Sequence, residues 1–255
     1  WRGILMGVMS LAIWWALFTR QPWRDLRSIV SWPGLCVVVT FSMNSVTFTL
    51  GIVETSASVV LTAVATMPVF AAILSAFLLQ ERQGWMGWAA IFTAMAGVAI
   101  VVFDGGNAVG QPAGSVLLGA FYGVLTAVGL AVTFTFARKY PWLAILPAAA
   151  LGAFISGVIG VVLADPAQIF DVPLWTVLLM GLVILPVSFT CLNLAPRYTS
   201  AAIVSLVMLL EMVIGPFWVW LGIGERPSLV MVGGTSIALL ALGFHIIRTQ
   251  WMSPH

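Results

Sequence analysis

Nine apolar stretches, each about as long as a lipid bilayer is thick, occupy most of this chain: approximately 3–19, 33–53, 57–79, 84–103, 114–136, 143–164, 174–194, 200–223 and 228–247. An α-helix rises about 1.5 Å per residue, so roughly 20 residues cross a hydrocarbon core about 30 Å thick. Inside lipid every backbone N–H and C=O must find a partner within the chain, which leaves helices and closed barrels as the spanning structures. Barrel strands read as alternations of roughly ten residues. The stretches here are continuous apolar runs, so the expected fold is all-α: a polytopic bundle of nine transmembrane helices. Charged residues make up only 7% of the chain, against roughly 25% in a soluble domain, and no water-soluble fold could hide so much apolar surface. The connectors are short. The longest are the basic turn Arg20–Trp32 and the Gly-rich turn Asp104–Ala113.

The segment Thr55–Arg82 returns without a gap 144 positions later as Thr199–Arg226. Thr-Ser-Ala opens both copies and Glu-Arg closes both (Glu81-Arg82 and Glu225-Arg226), with an apolar helix-length run between. The copies lie five spans apart. Five is odd, so one copy runs inward and the other outward, and inverted repeats are a recurrent way of building a carrier whose central site opens to each side in turn.

Arginines set the orientation. If the turn Arg20–Arg27 faces the cytoplasm, that side also collects Arg82, Arg138, Lys139, Arg197 and Arg248, while Arg2 and Arg226 alone face outward. That is a positive-inside bias, and it puts the C-terminus in the cytoplasm. Trp1, Trp23, Trp32, Trp85, Trp142, Trp175 and Trp251 fall near span ends, where indole rings sit at headgroup level. Cys36 and Cys191 each lie inside a span and read as reduced packing residues. With Lys139 the only lysine, nothing points to nucleic acid.

The two Thr-Ser-Ala…Glu-Arg units, each followed by a further Gly/Ala-rich span, resemble the EamA-type repeat of the drug/metabolite transporter superfamily. Gly119–Lys139 looks like the opening helix of that family's second repeat. The resemblance implies a first repeat over 1–104 and a second over 114–248. It implies a multi-pass protein of the bacterial cytoplasmic (inner) membrane that exports small metabolites, such as amino acids or related amphipathic compounds. Members of the family have ten helices, five plus five, whereas four plus five are read here. Residues 3–19 then correspond to the second helix, and a first helix is expected to precede Trp1; a natural nine-helix protein is the alternative.

Glu211 is the only acidic residue at membrane depth, where a charge costs about 2.5–3.5 kcal/mol on insertion scales. Its counterpart in the first copy is Met67. Two readings compete: a proton-coupling or cation-binding carboxylate, and a neutral acid hydrogen-bonded to a neighbouring helix. Thr40, Asn44 and Thr47 are spaced to share one helix face. That face either lines a substrate path, with Asn44 as its main polar group, or bonds to another helix. Ser188 is the repeat mate of Asn44, in a span that also carries Thr190 and Asn193, and Tyr122, Thr126 and Thr133 would complete a polar ring. Pro68 and Pro216 interrupt the two repeated helices and mark a central site, a hinge or a tolerated kink. Trp218, and one of the adjacent pair Trp14/Trp15, are candidates for an aromatic wall, against a plain packing role. Gly3/Gly7 and Gly119/Gly123 permit close helix approach.

The expected function is thus secondary transport by alternating access, with four-helix and five-helix halves rocking about a midplane cavity lined by the spans of Asn44, Tyr122, Ser188 and Glu211. The expected partners are a small-molecule substrate and the bilayer, with protons and a second copy of the chain as open additions. No nucleotide-binding motif and no metal-ligand spacing is present, so no cofactor or metal is expected. A membrane-embedded enzyme and a non-transporting structural or sensory protein are the rival classes. The enzyme would need a nucleophile–base pair or metal cluster that one buried carboxylate does not supply.

Overall fold

The computed structural model describes residues 1–80, 114–164 and 174–198, with isolated positions between 85 and 96 and between 220 and 243. Among the described residues all regular structure is helical. In chain order the helices are α1 (Arg2–Ile13, continued by a π-helical turn Trp14–Phe18), α2 (Pro22–Val30), α3 (Trp32–Glu54), α4 (Ala57–Val64), α5 (Met67–Leu78), α6 (Val116–Lys139), α7 (Ile145–Leu163), α8 (Leu174–Leu179, continued by a π-helical turn Met180–Ile184) and α9 (Leu185–Tyr198). Among the described residues five stretches are long and apolar enough to cross a membrane: Trp32–Glu54, Val59–Leu78, Val116–Lys139, Ile145–Leu163 and Leu174–Ala195. A sixth apolar stretch, Arg2–Phe18, is shorter. These six fall on six of the expected spans to within a few residues. The expected spans 84–103, 200–223 and 228–247 lie outside the described residues apart from isolated helical positions.

One connector is not a turn. Between Arg20 and Trp32 the chain forms α2, with Pro22 in its first turn, where a missing N–H costs nothing and the fixed φ favours the helix. The Ser28 hydroxyl ties α2 down, donating to the Asp25 carbonyl at 2.6 Å and accepting from the Ala144 amide at 3.1 Å. Ser31 then caps α3, accepting from the Gly34 amide at 3.3 Å. At the other interruption, Pro186 follows the π-helical turn Met180–Ile184. Its ring crowds the carbonyl four residues back and it donates no hydrogen bond, which explains why the ladder widens there.

The chain divides into two compact units, and each draws on both halves of the sequence. The first comprises Trp1–Val46 and Val132–Tyr198. Lipid tails are as apolar as leucine, so helices in a bilayer gain little from hydrophobic burial and hold together by close packing and interhelical hydrogen bonds. α1 lies along α7 on that basis. A Cβ added at Gly7 would lie 2.7 Å from Phe154 Cβ and 2.8 Å from the Ala150 carbonyl oxygen, and one at Gly3 2.8 Å from the Ala153 carbonyl oxygen. Trp14, Ile29, Val37, Val38, Leu143 and Ile145 form one buried cluster, and Met6, Phe41, Ala149 and Ala153 another. The Phe41 and Phe189 rings meet edge to face at 5.5 Å, the arrangement their quadrupoles favour. Leu163, 79% exposed, is the sort of side chain lipid covers.

The second unit is Thr47–Ala131 together with the chain from 199 onward, and its described part runs over 47–80 and 114–131. Ser56 caps α4, accepting from the Val59 amide at 3.4 Å. At the start of α6, the Ser115 amide donates to Glu54 Oε2 at 3.4 Å, which puts a carboxylate at the positive end of a helix dipole. α6 approaches α4 closely at Gly123, where an added Cβ would lie 2.6 Å from that of Ala63. Val59 and Ala120 bury each other, with Val116 packed alongside.

Candidate functional site

The stretch expected as one helix over 57–79 is broken. α4 ends at Val64, Ala65 and Thr66 form a tight turn, and α5 begins at Met67 with Pro68 in its first turn. Proline has no N–H to give the carbonyl four residues earlier, that of Val64, so an α-helix cannot run through this point unaltered. Shorter-range bonds take over. The Thr66 amide donates to the Ala63 carbonyl at 3.1 Å and the Val69 amide to the Thr66 carbonyl at 2.9 Å. The Thr66 hydroxyl, fully buried, also donates to the Ala63 carbonyl, at 2.6 Å. No side chain caps the start of α5. A membrane-depth break of this kind exposes backbone polarity where a continuous helix hides it.

The expected polar face resolves into pairs. In the second unit, the Thr47 and Thr126 hydroxyl oxygens lie 2.8 Å apart, both buried, and Thr126 also donates to the Tyr122 carbonyl at 3.0 Å. In the first unit, the Thr40 hydroxyl donates to the Cys36 carbonyl at 2.7 Å and lies 3.4 Å from that of Thr133. Moving from Thr40 to Thr47 advances about two turns along α3, while the partners retreat about two turns along α6, the register of antiparallel neighbours. These hydroxyls serve helix pairing. Asn44, on the same face of α3, is buried.

The other candidates separate. Tyr122 is half-buried, its ring 6.2 Å from that of Phe121. Ser188 is exposed, whereas Thr190 and Asn193 in the same helix are buried, and Asn193 donates its amide to the Phe189 carbonyl at 2.8 Å. Trp14 is buried in the first unit's core while Trp15 points outward, 61% exposed, as adjacent positions on a helix require. Glu211, Pro216 and Trp218 lie outside the described residues.

Sequence reasoning passed over two features. Thr62 and Thr66 add buried hydroxyls at the break, hidden in the sequence because threonine inside an apolar run carries no periodic signal. The Thr55 hydroxyl, in the opening Thr-Ser-Ala, is buried with no hydrogen-bond partner among the described residues, a state that costs about 1–3 kcal/mol.

Residues 1–103 match the EamA-like transporter family. One solved crystal structure of a protein is similar over 98% of this chain and 99% of its own, with a TM-score of 0.53 and 13% sequence identity, a likeness of fold alone. No curated protein matches the sequence. Apolar helices of membrane length, together with the match of residues 1–103 to a transporter family, make this a multi-pass membrane protein.

Proposed function

We propose that the protein is a secondary transporter that exports small metabolites, such as amino acids or related amphipathic compounds, across the bacterial cytoplasmic membrane by alternating access. The observation that carries this reading is the break at Ala65–Thr66, at mid-depth of a span within the family-matched residues. Interrupted helices at this depth are where carriers place substrate and coupling-ion sites. The inverted repeat of nine helices, four plus five, supplies a second proline-bearing helix of opposite orientation, its Pro216 one turn beyond the counterpart of Pro68. Asn44 and Tyr122 are its substrate-facing polar groups and Glu211 its coupling group, with the positive-inside pattern placing the C-terminus in the cytoplasm.

The test is transport in proteoliposomes, using a metabolite panel with and without an imposed pH gradient. Wild-type protein is expected to move at least one amine-bearing or amphipathic metabolite faster when the gradient is present. Glu211→Gln removes the titrating carboxyl at nearly constant shape, so it should abolish the dependence on external pH. A wild-type rate with unchanged pH dependence in that variant refutes the coupling role. Failure of every compound to move above protein-free vesicles refutes transport.

A further inference from the structure

A cavity of about 480 Å³ lies at the end of the first unit where α2 meets the start of α7. Arg20, Arg24 and Asp25 line it together with the rings of Trp14, Phe18 and Trp142. Arg20 and Arg24 are exposed, and among the described residues no hydrogen bond or ion pair engages either guanidinium. The lining holds one carboxylate, that of Asp25, whose Oδ2 accepts the Thr19 hydroxyl at 3.0 Å. Two cations against one anion leave the cavity positive, and two planar forks of donors suit a phosphate better than ammonium groups would.

The helix beside the cavity says which phosphate. At about 100° per residue, α2 divides into three stripes. Ser28 and Ile29 are buried against the protein. Trp23, Leu26 and Val30 form an apolar stripe turned outward, with Trp23 78% and Val30 73% exposed. Arg24 and Arg27 run between the two. A short helix with one apolar and one arginine-bearing outer stripe lies in the membrane interface, its apolar side among the upper acyl segments and its arginines at headgroup level. A free phosphate would use the arginines and leave the apolar stripe bare. A phospholipid uses both.

We propose that this cavity binds the phosphate headgroup of an anionic phospholipid, held by Arg20 and Arg24, with the acyl chains running along Trp23, Leu26 and Val30. Basic pockets at the ends of transmembrane helices are suited to such headgroups. The cavity shares no residue with the helix break, and its occupancy does not depend on which compound the protein carries.

Native mass spectrometry of the detergent-solubilised full chain tests it, with phosphatidylglycerol, phosphatidylcholine and sn-glycerol 3-phosphate as probes. Arg20→Gln/Arg24→Gln is expected to weaken the first bound phosphatidylglycerol about tenfold, taking roughly 1 kcal/mol per arginine near a membrane surface as the upper scale. Phosphatidylcholine binding should hold, as should phosphatidylglycerol binding to Arg27→Gln, a change on the same helix outside the cavity. Arg20→Lys/Arg24→Lys keeps the charge but not the forked donors and should bind phosphatidylglycerol more weakly than wild type yet more tightly than the glutamine pair. Both arginines are exposed, so the variants should melt with wild type; were the double variant not to fold, each single glutamine variant should still lose about threefold. Unchanged phosphatidylglycerol binding, an equal loss for phosphatidylcholine, or an equal loss in Arg27→Gln overturns the proposal. Competition by glycerol phosphate at the concentrations where the lipid saturates also overturns it, in favour of a soluble phosphate.

Discussion

Two glycine-to-alanine substitutions in the first unit should change stability in opposite directions. At Gly7, the added Cβ would sit 2.7–2.8 Å from Phe154 Cβ, the Phe154 amide nitrogen and the Ala150 carbonyl oxygen. Two of these are backbone atoms of α7, so no rotamer change relieves the overlap. Ordinary contact begins near 3.4 Å, and 3.4 less 2.8 means α1 and α7 must part by about 0.6 Å locally. A gap of 0.5–1 Å forfeits about a quarter to a half of each dispersion contact along the seam, where Met6, Ala149 and Ala153 are buried. Overpacking of this kind costs about 1–3 kcal/mol, from which about 0.5–1 is recovered by alanine's better helix propensity. Gly160 lies on the same α7 with nothing among the described residues within 4 Å of an added Cβ, so Gly160→Ala collects the propensity gain without the overlap. Thermal melts in one detergent, followed by circular dichroism, read the difference. Gly7→Ala should fall by about 2–6 °C and Gly160→Ala should hold or rise by about 1–3 °C, at roughly 2–4 °C per kcal/mol for a chain of this size. Equal shifts in the two variants would refute the argument that close approach, not helix propensity, fixes the glycine at position 7.

Two further outcomes follow from the buried hydroxyls. In a double-mutant cycle on Thr47→Val and Thr126→Val, the coupling should be about 0.6 kcal/mol, the average for interhelical bonds in a membrane protein, and no larger than about 1.7; additive losses would show that the 2.8 Å contact contributes nothing of its own. Thr55→Val replaces an unpartnered buried hydroxyl with a methyl of similar shape and should raise stability by up to about 1 kcal/mol; a fall of that size in the same melt would mean the hydroxyl is satisfied in the membrane.

How much of this was legible in the sequence depends on what each residue's signal reports. The spans were legible because lipid forces helices and length forces their number of residues: six of them, 3–19, 33–53, 57–79, 114–136, 143–164 and 174–194, appear where hydropathy put them. α2 was overlooked because charge drew attention to Arg20, Arg24 and Arg27 as orientation markers, although Pro22 followed by Trp23, Leu26 and Val30 already carries a start signal and a helical period. The break before Met67 was half legible: Pro68 announced a disturbance but not that Ala65 and Thr66 would take up the turn. The face of Thr40, Asn44 and Thr47 was found, but periodicity cannot distinguish a hydroxyl that faces a cavity from one that faces another hydroxyl. That distinction needs the partners, Thr133 and Thr126, which lie far away in sequence. Ser188 illustrates the same limit: matching Asn44 by repeat gave it a role by arithmetic, while its own helix buries Thr190 and Asn193 and leaves Ser188 exposed.

The repeat arithmetic is more informative at another pair. Glu211 aligns with Met67, and Met67 is the first residue of α5, immediately after the break and without a capping side chain. Pro68 has no N–H and the Val69 and Phe70 amides already donate to the Thr66 carbonyl, so what this helix start offers at membrane depth is mainly the positive end of the dipole. A carboxylate there gains from the dipole field without needing a lysine or arginine. Met67→Glu tests this directly on the first copy. A carboxylate at the centre of a span costs about 2.5–3.5 kcal/mol on insertion scales, and a favourable helix N-terminus returns up to about 2, so the net loss should be roughly 1 kcal/mol. Val60→Glu, also buried but within α4, has no such return and should lose the full amount. Melting temperatures of the two variants at neutral pH should then differ by about 4–8 °C, at about 2–4 °C per kcal/mol. The gap should close as pH falls and both carboxyls take up protons, because the N-terminus of α5 favours only the charged form. Equal destabilisation of Met67→Glu and Val60→Glu at neutral pH would show that the break offers a carboxylate nothing. The repeat would then give no physical reason for an acid at position 211.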